Sequence, residues 1–282
     1  MRVLLLGAGG MLAHDLAAHA PPDVTLTPLT HAQLDVTEQS AVAHAIRDLA
    51  PAVVINAAGY TRVDDAERAR DLAFAVNGMA PGAIGRAAAA VRATVVHFST
   101  DYVFDGKADA AYHEEDPPNA LNVYGASKLE GERTLAASGA EFLIIRTQWL
   151  FGARGRSFPR TMWERARARV SSRAVIDQLG RPTYTVDLAR ATWRLVEARV
   201  RGTLHITNAG QTSWYELAQR VYAAAGAPEL VTPCTTAEYR AAARRPARSV
   251  LDTTRAEANL GGPLPAWTDA LERFLAQLAE DP

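Results

Sequence analysis

Short apolar runs and helically spaced segments alternate through the first half of this chain. Residues 3–6 read Val-Leu-Leu-Leu and end in a glycine cluster, after which Leu12 and Leu16, and Ala13 and Ala17, recur at i+4. This predicts a buried strand, a glycine turn and a helix. Strand patterns return at residues 24–29, 53–55, 94–98 and 142–145. Helical spacing lies between them at 40–49, 65–74, 81–91 and 124–137, the third of these opened by Pro81 in its first turn. Strands alternating with helices predict an α/β fold with a parallel, doubly wound sheet, whose ligand sites fall at the carboxyl ends of the strands.

Beyond about residue 150 the rhythm loosens. Helices are expected at 158–169 and 186–198, and a strand at 204–207. Ser213 and Glu216 form a capping box that opens a helix running to about residue 225. A last amphipathic helix, 268–278, follows the Gly261-Gly262-Pro263 break. Residues 1–150 thus read as a dinucleotide-binding core of Rossmann type. Residues 151–282 read mainly as a smaller substrate-binding lobe, with some segments returning to the core.

Composition narrows the function classes. With 48% apolar and 22% charged residues, the chain is an ordinary globular protein large enough for a sizeable core. A net charge of −1 gives no long-range attraction to nucleic acid or to an anionic membrane. Three glycines and His14-Asp15 interrupt the amino-terminal apolar run, and no stretch approaches a bilayer span of about 20 residues. Cys234 is the only cysteine, so no intrachain disulfide is expected, and a cytoplasmic location is.

Two local patterns carry chemistry. The first is Gly7-x-x-Gly10-x-x-Ala13, directly after the first strand. Glycines permit a tight turn and close approach of backbone, and the following helix aims free N–H groups at a pyrophosphate. The second is Tyr124-Gly125-Ala126-Ser127-Lys128. Of 30 cationic residues only Lys107 and Lys128 are lysine, so a lysine that remains is a candidate for a role arginine cannot fill. At i and i+4 on a helix, Tyr124 and Lys128 share a face. The strand at 94–98 delivers Ser99-Thr100-Asp101-Tyr102 at its carboxyl end. A hydroxyl there, facing a Tyr/Lys helix, is what ketone reduction requires: Thr100 bonds the substrate oxygen, and Tyr124 donates a proton. Lys128 is expected to lower the phenol's pKa from its usual value of about 10, and a nicotinamide on the glycine turn supplies hydride.

These motifs, with Asn56-Ala57-Ala58-Gly59 and the run from Ser99 to Gly106, resemble the extended short-chain dehydrogenase/reductases. Residues 60–67, 146–152, 178–183 and 245–252 further resemble the dTDP-4-dehydrorhamnose reductase family, over nearly the whole length. The resemblance implies reduction of dTDP-4-dehydro-6-deoxy-L-mannose to dTDP-L-rhamnose with NADPH, NADH being possible, by a monomer or homodimer. It implies Thr100, Tyr124 and Lys128 as catalytic residues. Coenzyme contacts are implied at Gly7, Gly9, Gly10, Met11, Leu12, Thr30, Asp35, Val36, Ala57, Ala58, Tyr60, Asn77 and Ser99, as well as Tyr124 and Lys128. Val63, Asp101, Tyr102 and Trp149 match positions lining the sugar-nucleotide pocket, although Trp149 equally suits packing.

The chain departs from the pattern in two places. Some members bind Mg²⁺ through carboxylates where this chain has Val186 and Arg190, leaving mainly Asp187, so no metal is expected. Where NADPH-preferring relatives often carry arginine after strand two, this chain has Thr30-His31. Rival readings are a nucleotide-sugar 4,6-dehydratase, a 4-epimerase, and a non-catalytic subunit of the methionine adenosyltransferase type. The dehydratase would place a second carboxylate after Asp101, where Tyr102 stands.

Overall fold

A computed structural model describes residues 1–280. Six parallel strands form one sheet: β1 (Arg2–Leu6), β2 (Thr25–Leu29), β3 (Val53–Asn56), β4 (Thr94–Thr100), β5 (Phe142–Thr147) and β6 (Gly202–His205). Their spatial order is β6-β5-β4-β3-β1-β2, a doubly wound sheet of Rossmann type. The winding reverses at the β1/β3 junction. A crevice therefore opens beyond the carboxyl ends of these two strands, where connecting chain departs to opposite faces.

The strands are apolar on both sides because helices cover both sides. Val3, Leu5, Ile55, Val96 and Ile145 face α1 (Met11–Ala18) and α6 (Thr185–Glu197). Leu4, Leu6, Val54, Val95 and Ile144 face α2 (Gln39–Leu49), α3 (Ala80–Ala90) and α4 (Val123–Ala136). A second cluster, built on Phe151, Met162, Leu217, Tyr222 and Phe274, joins α5 (Phe158–Arg167), α7 (Trp214–Ala224) and α8 (Trp267–Glu280). In the sheet β6 pairs with β5, and α6 packs on α1.

Two elements differ from the pattern read in the sequence. The helix expected at 65–74 is broken into Val63–Ala66 and Arg70–Phe74. The second piece then runs without interruption through a π-helical turn, Ala75–Met79, into α3, so Pro81 lies within a helix instead of opening one. A π turn widens the hydrogen-bond spacing by one residue, here with Ala80 N–H donating to the Ala75 carbonyl. Strand β6 starts two residues earlier than expected, because its apolar signal came from Leu204 and Ile206 and not from Gly202 and Thr203.

Candidate active site

The turn after β1 is built on a conformational demand. Gly7 has φ +77°, and a Cβ there would lie 2.5 Å from the Ala58 nitrogen. Only glycine lets the turns after β1 and β3 touch. Gly10 donates its N–H to the Gly7 carbonyl at 3.0 Å and caps α1, and no side chain closes that helix end. The first-turn N–H groups stay open, and a Cβ on Gly9 would meet nothing within 4 Å. This cradle fits a dinucleotide pyrophosphate.

The other residues implied as coenzyme contacts divide into two kinds. Gly9, Met11, Thr30, Asp35, Ala57, Ala58 and Tyr60 lie in the segments that follow β1, β2 and β3. Asp35 accepts from the Thr37 backbone and hydroxyl, which hold its carboxyl below the usual range, and Thr30 is paired with Gln33. Leu12 and Val36 are buried, so backbone is what they have to offer a ligand. Asn77 and Ser99 spend their side chains on the protein. Asn77, carried on the π turn, grips Tyr60 N–H (2.8 Å) and carbonyl (3.0 Å) and donates to Ser127. Ser99 donates to buried Glu132, which is paired with Arg146 at 2.7 Å.

Helix α4 carries Tyr124 and Lys128. Its cap is Asn122, whose side chain accepts from Gly125 N–H at 2.7 Å and donates to the Arg244 carbonyl at 2.7 Å. Glu67 takes the Val123 N–H at 2.8 Å, so the 60–67 segment also anchors this end. The fit is close: a Cβ on Gly125 would lie 2.1 Å from the Tyr102 carbonyl oxygen. That contact sets the half-buried Tyr124 beside Thr100 at the end of β4, with the Thr100 hydroxyl near enough to favour the ionised phenol. Lys128 sits one turn deeper, buried, with Nζ donating to the Phe98 carbonyl at 2.5 Å and lying 3.3 Å from His97 Nε2.

The electrostatics differ from the sequence expectation on one point. Burial pushes the Tyr124 phenol up to about 12, opposed by the neighbouring Thr100 hydroxyl and with the Asp101 carboxylate adding to the rise. Lys128 does not lower it here, because its Nζ is directed at Phe98 and His97. Lys128 itself is brought down to about 8 by burial, opposed by the Glu132 charge.

Asp101 and Tyr102, read as substrate contacts, are both buried. Asp101 accepts from Thr100 at 3.1 Å, from Gln148 at 3.2 Å and from Ser249. Burial raises its carboxyl to about 7 despite those bonds. Tyr102 lies edge-on to Tyr124, with ring centroids 5.9 Å apart, and the Arg245 charge lies near its hydroxyl. Arg245 in turn makes a bidentate pair with Asp64 at 2.8 and 3.0 Å, beside Val63. Trp149 adopts φ +49°, a conformation that costs a non-glycine residue about 1–2 kcal/mol. Its indole is stacked on Trp214 at 3.7 Å and lies over Gly180, where a Cβ would come within 2.5 Å of the ring. Packing therefore holds it, while the residue stays partly exposed.

Sequence reasoning passed over His97, Asn56, Gln148, Ser249 and the Asp64–Arg245 pair. One of these was within reach. A histidine in the row Val95, His97, Ser99 faces the same layer as Lys128, which strand alternation places there.

With this geometry in hand, the kinship is clear. Residues 1–280 match the family model described as RmlD substrate binding domain. The chain belongs to that family. It is 38% identical over 288 residues to a dTDP-4-dehydrorhamnose reductase of Burkholderia thailandensis, covering 96% of this chain and 97% of that protein. It is 40% identical over 291 residues to a Streptomyces antibioticus protein named "Probable dTDP-4,6-dihydroxy-2-methyloxan-3-one 4-ketoreductase", covering 100% and 98% of the two. The crystal structure of a dTDP-4-dehydrorhamnose reductase from Bacillus anthracis in complex with NADP superposes with a TM-score of 0.94 at 36% identity, covering 98% of this chain and 99% of that one. In this RmlD-family chain, Asp187 is paired with Arg273 at 2.7 Å and with Asn208 at 2.8 Å. Among the described residues no group of three or more His, Cys, Asp or Glu is placed to hold a metal ion, and no helix is long and apolar enough to cross a membrane.

Proposed function

We propose that this chain reduces the 4-keto group of dTDP-4-dehydro-6-deoxy-L-mannose to give dTDP-L-rhamnose, with NADPH as reductant and in the cytoplasm. One observation carries the reading: the Thr100 hydroxyl and the Tyr124 phenol meet at the carboxyl end of β4, beside a glycine cradle on β1. When bound, the nicotinamide supplies the hydride. Thr100 orients the ketone oxygen. Tyr124, with its phenol at about 12, is protonated throughout the neutral range and so is loaded as the acid. As the proton leaves, the positive charge of Lys128 one turn away offsets the phenolate, an effect that strengthens when substrate excludes water. Val63, Tyr102 and Trp149 line the sugar-nucleotide side, and Asp101 acts through Thr100.

The 40% identity to the Streptomyces antibioticus protein favours a second reading, in which the same chemistry acts on another dTDP-linked keto sugar. One assay separates the two. Coenzyme oxidation is followed with a panel of dTDP-linked 4-keto sugars, using NADPH and NADH in turn. The proposal expects the highest kcat/KM with dTDP-4-dehydro-6-deoxy-L-mannose and NADPH. Preference for a different sugar moves the assignment to the second reading, and no oxidation with any of them defeats both.

A further inference from the structure

Beneath the catalytic lysine lies a polar chain that the reaction as described does not use. Ala58 N–H donates to Asn56 Oδ1 at 3.2 Å, Asn56 Nδ2 lies 3.1 Å from His97 Nδ1, and His97 Nε2 lies 3.3 Å from Lys128 Nζ. Asn56, His97 and Lys128 are at most 5% exposed, so water does not stand in for a missing partner. Ala58 belongs to the turn that Gly7 touches. The chain therefore runs from the coenzyme cradle to the base of the catalytic helix.

Directionality along this chain is fixed at one end. A backbone N–H can only donate, so the Asn56 oxygen must face Ala58, and its NH₂ must face His97. His97 Nδ1 is then an acceptor, and a neutral imidazole with Nδ1 accepting carries its hydrogen on Nε2. Burial and the neighbouring Lys128 charge keep this ring neutral. The Nε2–H points at Lys128 Nζ. An amine offers a lone pair there; an ammonium offers only further N–H groups. The contact is a hydrogen bond when Lys128 is neutral and an opposition of donors when it is charged. Moving the ring hydrogen to Nδ1 restores a bond to the ammonium but sets two donors against each other at Asn56. Either way the charged lysine forfeits one buried hydrogen bond.

Resting on the reductase reading above, we infer that His97 is a positioning residue that tunes the charge of Lys128, with Asn56 fixing the tautomer that does so. The brake it applies makes the ammonium readier to release a proton, and it links that readiness to the turn that holds the coenzyme. The titratable groups around Lys128 are few. On its own helix Tyr124 and Glu132 lie one turn to either side, and Glu132 is bound by Arg146 from β5 and by Ser99. From β4 His97 alone faces it, with the Phe98 carbonyl accepting in either charge state.

The test exploits the presence of only two lysines. In protein labelled with ¹³C-lysine, the Cε shifts of Lys107 and Lys128 are followed against pH, and the exposed Lys107 serves as the internal reference. In His97→Gln the side-chain oxygen can turn to accept from the ammonium. In Asn56→Asp the carboxylate accepts from both Ala58 N–H and His97 Nδ1–H, leaving Nε2 to accept from Lys128. Both variants are expected to raise the Lys128 midpoint by about one pH unit or more, a tenfold gain in proton affinity, with Lys107 unmoved. The alkaline limb of the kcat profile should move with it. An unchanged Lys128 midpoint in either folded variant overturns the inference, as does a moved midpoint with an unmoved alkaline limb. Absence of turnover in the parent protein would defeat the reductase reading alone, because the lysine titration needs no substrate.

Discussion

Gly125→Ala asks whether Tyr124 is placed by packing. The new Cβ would sit 2.1 Å from the Tyr102 carbonyl oxygen, 2.9 Å from its carbon and 3.2 Å from the Ala120 Cβ. An ordinary carbon–oxygen contact is about 3.3 Å. Helix α4 and the turn Asp101–Val103 must therefore separate by about 1.2 Å, which moves Tyr124 relative to the chain that follows Thr100. Neither partner is a flexible side-chain tip, and both elements are tied down: Asn122 and Glu67 at the helix start, Asp101 by three donors. Two stability effects oppose each other. Overpacking costs about 1–3 kcal/mol, and alanine in a helix recovers roughly 1 kcal/mol over glycine. The net loss is on the order of 1 kcal/mol, which moves Tm by about 2–4 °C in a chain of this size. Catalysis is more exposed to the shift, since a misplacement of about 1 Å can cost a factor of about 100 in rate. Gly125→Ala is therefore expected to lose about two orders of magnitude in kcat while melting within a few degrees of the parent. The assays are coenzyme oxidation and thermal denaturation on the same preparation. A variant that keeps kcat within threefold would refute the claim that this contact positions Tyr124.

Three further outcomes follow from the site. Tyr124→Phe removes the acid, so kcat should fall by about two to four orders of magnitude with coenzyme affinity nearly unchanged, as read by fluorescence titration. Lys128→Arg keeps the charge but brings a planar fork into a slot closed by the Phe98 carbonyl and His97, and kcat should fall at least about tenfold. For Asp101→Asn the sign runs opposite to the usual carboxylate case. The folded carboxyl, at about 7, lies above its unfolded value near 3.8, so the folded state binds the extra proton and loses stability as pH rises from about 4 to 7. The asparagine variant lacks that slope, and urea denaturation across this window should show its stability rising relative to the parent's. Parallel curves would mean that Asp101 is ionised throughout.

The sheet and most helices were legible because strands covered on both faces leave continuous apolar runs, and amphipathic helices leave i+4 spacing. The π turn was not legible. Nothing in Ala75-Val76-Asn77-Gly78-Met79 departs from an ordinary helix, and Pro81 looked like a start because its missing N–H is harmless there. The proximity of Tyr124, Lys128 and the end of β4 was legible because i and i+4 on a helix share a face and the strand delivers Thr100 at its carboxyl end. The direction of the Tyr124 shift was not, because it depends on how far the phenol is buried and where the Lys128 ammonium points. Asp101 looked like a ligand contact by resemblance, and its enclosure by Gln148 and Ser249 involves residues 47 and 148 positions away. Contacts of that range leave no local periodicity to read.

The same burial explains why this helix carries its charges in a single row. Tyr124, Lys128 and Glu132 are spaced by four and turn toward the face of β4 that holds His97 and Ser99, with Tyr124 at the strand end beside Thr100. An apolar row at those positions would pack better, since buried ionic groups seldom add net stability over hydrophobic ones of similar volume. The structure instead matches each to a partner of opposite need: phenol to hydroxyl, lysine to carbonyl, carboxylate to the Arg146 guanidinium. Glu132 and Arg146 neutralise each other, which leaves Lys128 as the row's one cation without a carboxylate within ion-pair distance among the described residues. A lysine so placed can change its charge without breaking an ion pair.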